Sequence, residues 1–114
     1  MYGSYHIQKY YEGKSNFDEK SFLISGISFY QNTAFRVNND YILDLIPEPE
    51  NKFDNNAISI NYENEKVGYV PKDYKYRDKL FEQNNKQVKV INKKLVTDNN
   101  TVGIRVIPLH FYNN

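Results

Sequence analysis

The sequence predicts a mainly β domain: a small, closed or partly open barrel of five or six strands with one inserted α-helix. Three observations carry this. Short apolar runs recur along the chain with strand-like alternation. Turn formers (Asn, Asp, Gly and Pro) separate them at short spacing. One stretch alone, directly after Pro71, places its apolar residues at helical intervals. The 114 residues, 39% of them apolar, supply one core and one domain, too few for two ordinary ones.

The elements follow in order. Residues 1–18 show no clean period, so residues 1–19 are expected as an N-terminal arm or edge strand and residues 20–114 as the folded domain. "SFLISGISFY" (21–30) predicts a strand of Phe22, Ile24, Ile27 and Phe29, with Gly26 at a bulge or close backbone approach. "QNTAFRVNND" (31–40) reads as a polar connector ending in a turn. "YILDLIP" (41–47) gives a second strand, stopped by Pro47 and Pro49. "NAISINYE" (56–63) gives a third, on Ala57, Ile58, Ile60 and Tyr62, and "VGYV" (67–70) a short fourth. Pro71 then opens a helix, where its fixed φ and missing donor do no harm. Within "KDYKYRDKLFEQNN" (72–85), Tyr74, Arg77, Leu80 and Phe81 fall on one stripe. "QVKVINKKLV" (87–96) and "TVGIRVIPLHF" (101–111) are two final β runs around the turn "TDNN".

Composition removes several function classes. There is no cysteine, hence no disulfide framework, thiolate metal site or cysteine nucleophile. This fits a reducing cytoplasm. No apolar run reaches signal-peptide or membrane-spanning character, so no membrane partner is expected. His6 and His110 lack ligand spacing, no nucleophile elbow surrounds a serine, and Gly26, Gly68 and Gly103 are isolated. The expectation is no enzyme, no metal and no cofactor.

The net charge of +1 is uninformative, but its distribution is not. Residues 1–65 carry five basic against ten acidic side chains; residues 66–94 carry nine basic against three acidic. A basic segment of this kind is either a phosphate-facing strip or a solvated helix and hairpin. Eleven tyrosines, seven phenylalanines and no tryptophan suit half-buried strands and also base stacking.

The stretch that concentrates these signals is "EPENKFDNNAISI" (48–60). Phe53 either covers a turn over the core or offers a stacking platform. Asp54, with Asn55 and Asn56, either closes an Asx turn or accepts hydrogen bonds from something other than phosphate, such as a sugar hydroxyl. Lys72, in the first turn after Pro71, is either solvated or placed for a phosphate despite the unfavourable helix dipole.

"GISFY" (26–30), "LDLIPEPENKFDNNAISI" (43–60) and "KVGYVPKDY" (66–74) together resemble the HIRAN domain family, over roughly residues 20–111. The resemblance implies a modified OB-like β-barrel that binds single-stranded DNA or its free 3′ end without catalysis. By the same resemblance Phe53 stacks on a terminal base and Asp54 accepts from the terminal 3′-hydroxyl. Phe29 and Tyr30 match an aromatic pair in which one ring stacks and the other supports. Tyr69 stands where the family has an aromatic or histidine, and Lys72 where a lysine meets the phosphate backbone. One departure is Ser28, where an arginine precedes the aromatic pair; Lys52 or Arg36 would have to replace its phosphate contact. A second reading is a protein-interaction module on the same scaffold, and a third a nuclease, which needs convergent metal-binding carboxylates. Salt-dependent DNA binding separates the first from the second.

Overall fold

The computed structural model describes residues 17–82, 86–96 and 101–112. Six antiparallel strands form one curled sheet, a half-barrel with short helices around it. In chain order the elements are α1 (Phe17–Lys20), β1 (Phe22–Leu23), a 3-10 helix (Ile27–Tyr30), α2 (Gln31–Arg36), β2 (Ile42–Pro47), β3 (Ile58–Tyr62), β4 (Glu65–Tyr69), α3 (Arg77–Glu82), β5 (Gln87–Val96), β6 (Thr101–Pro108) and α4 (Leu109–Tyr112). The strand order is β1-β6-β5-β2-β3-β4. Apart from residues 17–19, the arm expected at 1–19 lies outside the described residues, as does the turn at 97–100.

On β2 and along most of β6, alternation sets which face is buried. On β2, Leu43 and Leu45 point inward while Ile42, Asp44 and Ile46 face out. On β6, Val102, Ile104 and Val106 point inward. With Ile58 and Ile60 of β3, Val67 of β4, and Val88 and Val90 of β5, these side chains fill the concave side. Each fully buried aliphatic contributes about 1.5–3 kcal/mol relative to exposure.

The two ends of the sheet meet. Ser25, just after β1, and Tyr69 of β4 exchange backbone bonds of 2.8 and 2.9 Å. Gly68 makes this approach possible. A Cβ there would press into Ile24 Cγ2 and lie 2.5 Å from the Ser25 carbonyl oxygen. The backbone of 24–25 crosses directly over the glycine.

Three expectations need correcting. The strand expected over 21–30 stops early. Gly26, at φ 70°, turns the chain in the left-handed region that suits glycine, and residues 27–30 wind into the 3-10 helix. The connector at 31–40 contains α2. The Gln31 side-chain amide fixes this corner: its Nε2 donates to the Ile27 and Val102 carbonyls, and its Oε1 accepts from the Val102 N–H at 2.7 Å. Ala34 and Val37 are thereby buried against the sheet.

The helix after Pro71 begins later than its stripe suggested. Pro71 and Tyr74 carbonyls accept from the N–H groups of Tyr74 and Arg77, making two successive turns before α3 starts at Arg77. Tertiary contacts hold the turns. Tyr74 is buried, its hydroxyl donates to the Lys20 carbonyl at 2.6 Å, and its ring lies 4.6 Å from that of Phe22. Leu80 enters the core and Phe81 packs against it, as the stripe requires.

Candidate nucleic-acid interface

Residues 48–57 connect β2 to β3 as a loop that builds its own shape. The Glu48 N–H donates to the Ala57 carbonyl at 2.8 Å and closes the base. Inside, Asn51 acts on both sides. Its Oδ1 accepts from the N–H groups of Phe53 (2.9 Å) and Asp54 (3.1 Å), while its Nδ2 donates to Glu48 Oε1 at 2.9 Å. This is an Asx turn that orients two successive residues. Asp54 repeats the device, with its Oδ1 accepting from the Asn56 N–H at 3.1 Å.

The outcome for Phe53 is a ring 94% exposed on a pinned backbone. It covers no core. Exposure this complete leaves both faces open to a partner ring.

Asp54 is fixed from the other side by Arg77, a residue assigned from sequence to the helix stripe. Nη1 of Arg77 donates to Oδ2 at 2.6 Å and Nη2 to Oδ1 at 3.4 Å, and both side chains are largely buried. The Arg77 hydrogen bonds hold the Asp54 carboxyl below the usual carboxylate range; partial burial opposes this, and the Asn56 N–H and the charges of Arg77 and Lys72 assist it. Asp54 is therefore an ionised acceptor in a fixed orientation, with charge offset by its neighbour. Lys72 is exposed and near enough to act on it.

Tyr69 lies behind the loop, half-buried. Its hydroxyl accepts from Lys66 Nζ at 2.6 Å and donates to Glu48 Oε1 at 3.0 Å, and Lys66 pairs with Glu48 Oε2 at 2.9 Å. Burial works against the Lys66 charge, but hydrogen bonds to Tyr69 and Glu48 outweigh it and raise the ammonium above its ordinary value. Glu48 is the post on which the loop stands. Burial pushes its carboxyl up, yet Lys66, Asn51 and Tyr69 together hold it below the usual range.

Phe29 is 82% exposed on the 3-10 helix, and Tyr30 beside it is half-buried. Among the described residues, no hydrogen bond or ring contact joins either to Phe53. Tyr69 links the two regions: its backbone pairs with Ser25, four residues before Phe29, and its hydroxyl holds the base of the Phe53 loop. So Phe53, Asp54, Tyr69 and Lys72 are brought to one region by the loop and the β4–α3 connection, while Phe29 and Tyr30 stand on a neighbouring element.

The basic segment divides. Lys66, Lys75, Arg77 and Lys89 form ion pairs with Glu48, Glu19, Asp54 and Asp40, and Lys93 donates to the Phe35 carbonyl. Arg36 is committed to Glu63 and Glu65. Lys52, exposed beside Phe53, has no ion pair among the described residues. Sequence reasoning missed Asn51 and Arg77. An Asn two residues before an aromatic–Asp pair is a local signal for the first. Nothing local marks the second, 23 residues from its partner. Among the described residues no group of three His, Asp or Glu side chains is placed to hold a metal ion, and no helix is long and apolar enough to cross a membrane.

Comparison with known proteins gives the family and the fold. The HIRAN domain family matches residues 17–106. A crystal structure of a protein from Lactobacillus plantarum is similar at a TM-score of 0.59 and 18% identity, over 78% of this chain and 90% of that one; it shows the shared fold. The crystal structure of the HIRAN domain of human HLTF aligns at a TM-score of 0.43 and 22% identity, over 79% of this chain and 75% of that one. No curated protein matches the sequence.

Proposed function

The chain belongs to the HIRAN family, generally a DNA-binding and typically non-catalytic module, and we propose that it binds single-stranded DNA at or near a 3′ end. The observation that carries the reading is the exposure of Phe53 on a loop tied down by Asn51, Asp54 and Glu48. An exposed ring forfeits hydrophobic stabilisation. A rigid backbone beneath it removes the ordering cost of using that ring for stacking.

The roles divide by chemistry. Phe53 stacks on a base, with Phe29 as a second platform supported by Tyr30. Lys72 meets a backbone phosphate, and Lys52 takes the place of the missing arginine. Asp54 accepts from the terminal hydroxyl. Its Oδ1 is occupied by Asn56 and Arg77, but Oδ2 carries one arginine bond and keeps a lone pair. Arg77 keeps that acceptor ionised and offsets its charge against the incoming strand. Tyr69 acts through Glu48, by holding the loop.

The test is a binding titration with labelled single-stranded, duplex, 3′-hydroxyl and 3′-phosphate oligonucleotides. The reading expects salt-dependent binding of single strands over duplex, and hydroxyl over phosphate ends. Asp54→Asn keeps the turn bond to Asn56 and should shrink the hydroxyl preference. Equal binding of the two ends by the unmutated protein removes the Asp54 role. Absence of single-strand binding removes the whole reading.

A further inference from the structure

α4 completes a ladder of rings that starts in the core. Phe22 and Tyr74 lie 4.6 Å apart, Tyr74 and Tyr76 5.6 Å, Tyr76 and Phe111 of α4 5.1 Å, and Phe111 and His110 4.1 Å. Cations sit on these rings. Lys20 Nζ is 4.8 Å from the centroid of Phe111, Lys75 Nζ 5.5 Å from that of Tyr76, and Lys89 Nζ 4.4 Å from that of Tyr112. The ladder thus ends on a titratable imidazole.

Tyr76 connects the ladder to the Phe53 loop. It directly precedes Arg77, which grips Asp54, and its carbonyl accepts from the Leu80 N–H at 3.1 Å. Three contacts hold its side chain: the Tyr74 ring, the Phe111 ring and the Glu19 carboxylate, to which its hydroxyl donates at 3.1 Å. Two of these are indifferent to mild acid. Tyr74 is buried. The Glu19 carboxyl is held below its ordinary range by the Tyr76 hydrogen bond and the Lys75 charge, so it stays ionised there.

The Phe111 contact differs, because His110 lies against the same ring. Burial pushes the imidazole below its usual value, and the Lys20 charge adds to this. A protonated His110 meets the Lys20 ammonium, which already occupies the Phe111 ring. The other charges around α4 and the ladder are Lys89 of β5, Arg105 of β6, which donates to Ser21 Oγ, and Lys75 and Glu19, which pair with each other. Glu19, the one anion of this set, is committed to Tyr76 and Lys75.

We propose that α4 is a pH-sensitive brace for the Arg77–Asp54 pair: neutral His110 lets Phe111 seat on Tyr76, and protonation of His110 unseats it and loosens Arg77. A histidine whose folded pKa is lowered contributes stability that is fully present above its unfolded value of 6.5 and is lost as pH falls through the folded value. Asp54 stays ionised in that window, since the Arg77 hydrogen bonds hold its carboxyl below the carboxylate range. A change at the pair in mild acid therefore originates outside it. As a control on strand-end binding, the brace rests on the role proposed above for Asp54; its test needs no nucleic acid, so either can fail without the other.

The experiment is an NMR titration of the full chain from about pH 8 to about pH 5. It follows the His110 imidazole, the nuclear Overhauser contact between the Tyr76 and Phe111 rings, the Asp54 carboxyl carbon and Arg77 Nε. The His110 midpoint should fall below 6.5. The ring contact should be lost, and the Asp54 and Arg77 signals should shift, with that same midpoint. His6→Gln should behave as the parent does. His110→Gln and His110→Phe, which cannot titrate, should keep the ring contact and the pair unchanged over the whole range. The parent alone overturns the proposal if its His110 midpoint is 6.5 or higher, if the ring contact survives the titration, or if Asp54 and Arg77 do not respond when the contact is lost. A folded His110 variant that still shows the parent's response overturns it as well.

Discussion

Arg77 grips Asp54 through both of its terminal nitrogens, joining the start of α3 to the β2–β3 loop across 23 residues of sequence. The contact changes what the carboxylate is. Alone, it would be a turn residue or a negative charge beside a nucleic-acid surface. Paired, it is an oriented acceptor whose charge is offset locally.

The pair predicts an acid-sensitive contribution to stability. Asp54 sits below its ordinary value, chiefly through the Arg77 hydrogen bonds, and its unfolded value is about 3.9. A depressed folded pKa means that the contribution is fully present above the unfolded pKa and is lost as pH falls through the folded one. Urea midpoints of the parent and Arg77→Gln should therefore differ by a constant amount near neutral pH and converge below about pH 4. A gap that stays undiminished in acid would show that the pair contributes nothing through its ionisation.

Lys72 makes a prediction about salt. If it neutralises one phosphate, Lys72→Ala should weaken single-strand binding and reduce the slope of log K against log salt by about 0.7. Arg36→Ala, which removes a residue committed to Glu63 and Glu65, should leave the slope unchanged. Equal slopes for Lys72→Ala and the parent would take Lys72 out of the interface.

The seam predicts a contrast between two glycines. Gly68→Ala drives a methyl into Ile24 and the Ser25 backbone, and should cost about 1–3 kcal/mol in denaturant unfolding. At Gly103 a Cβ meets nothing within 4 Å, so Gly103→Ala should lie within about 0.5 kcal/mol of the parent. Matching effects would mean that the Ser25–Tyr69 closure does not depend on the bare backbone at Gly68.

What the sequence disclosed follows from the range of each interaction. β2 was legible because its alternation is local and one face is buried; β3, buried on both faces, and the short β4 were legible as brief apolar runs between turn formers. The loop chemistry was legible as Asx-turn material, although the sequence left open whether Phe53 covered the core. The early end of β1 was not legible. It depends on Gly26 turning left-handed and on Gln31 bonding to Val102, 71 residues away. The late start of α3 escaped for a similar reason, since Tyr74 is drawn out of the helix by Phe22 and Lys20. Arg77 fitted an apolar stripe by position, and only tertiary structure reveals the carboxylate that it faces.

The central claim is that the Phe53 ring is a stacking platform. It is tested most directly by the affinity of the parent and Phe53→Ala for one labelled single-stranded oligonucleotide at fixed low salt, with urea unfolding of both. The account predicts a loss of about 1–3 kcal/mol in binding, with folding stability unchanged within about 0.5 kcal/mol because the ring covers nothing. Unchanged affinity, or a loss of stability as large as the loss of binding, would contradict it.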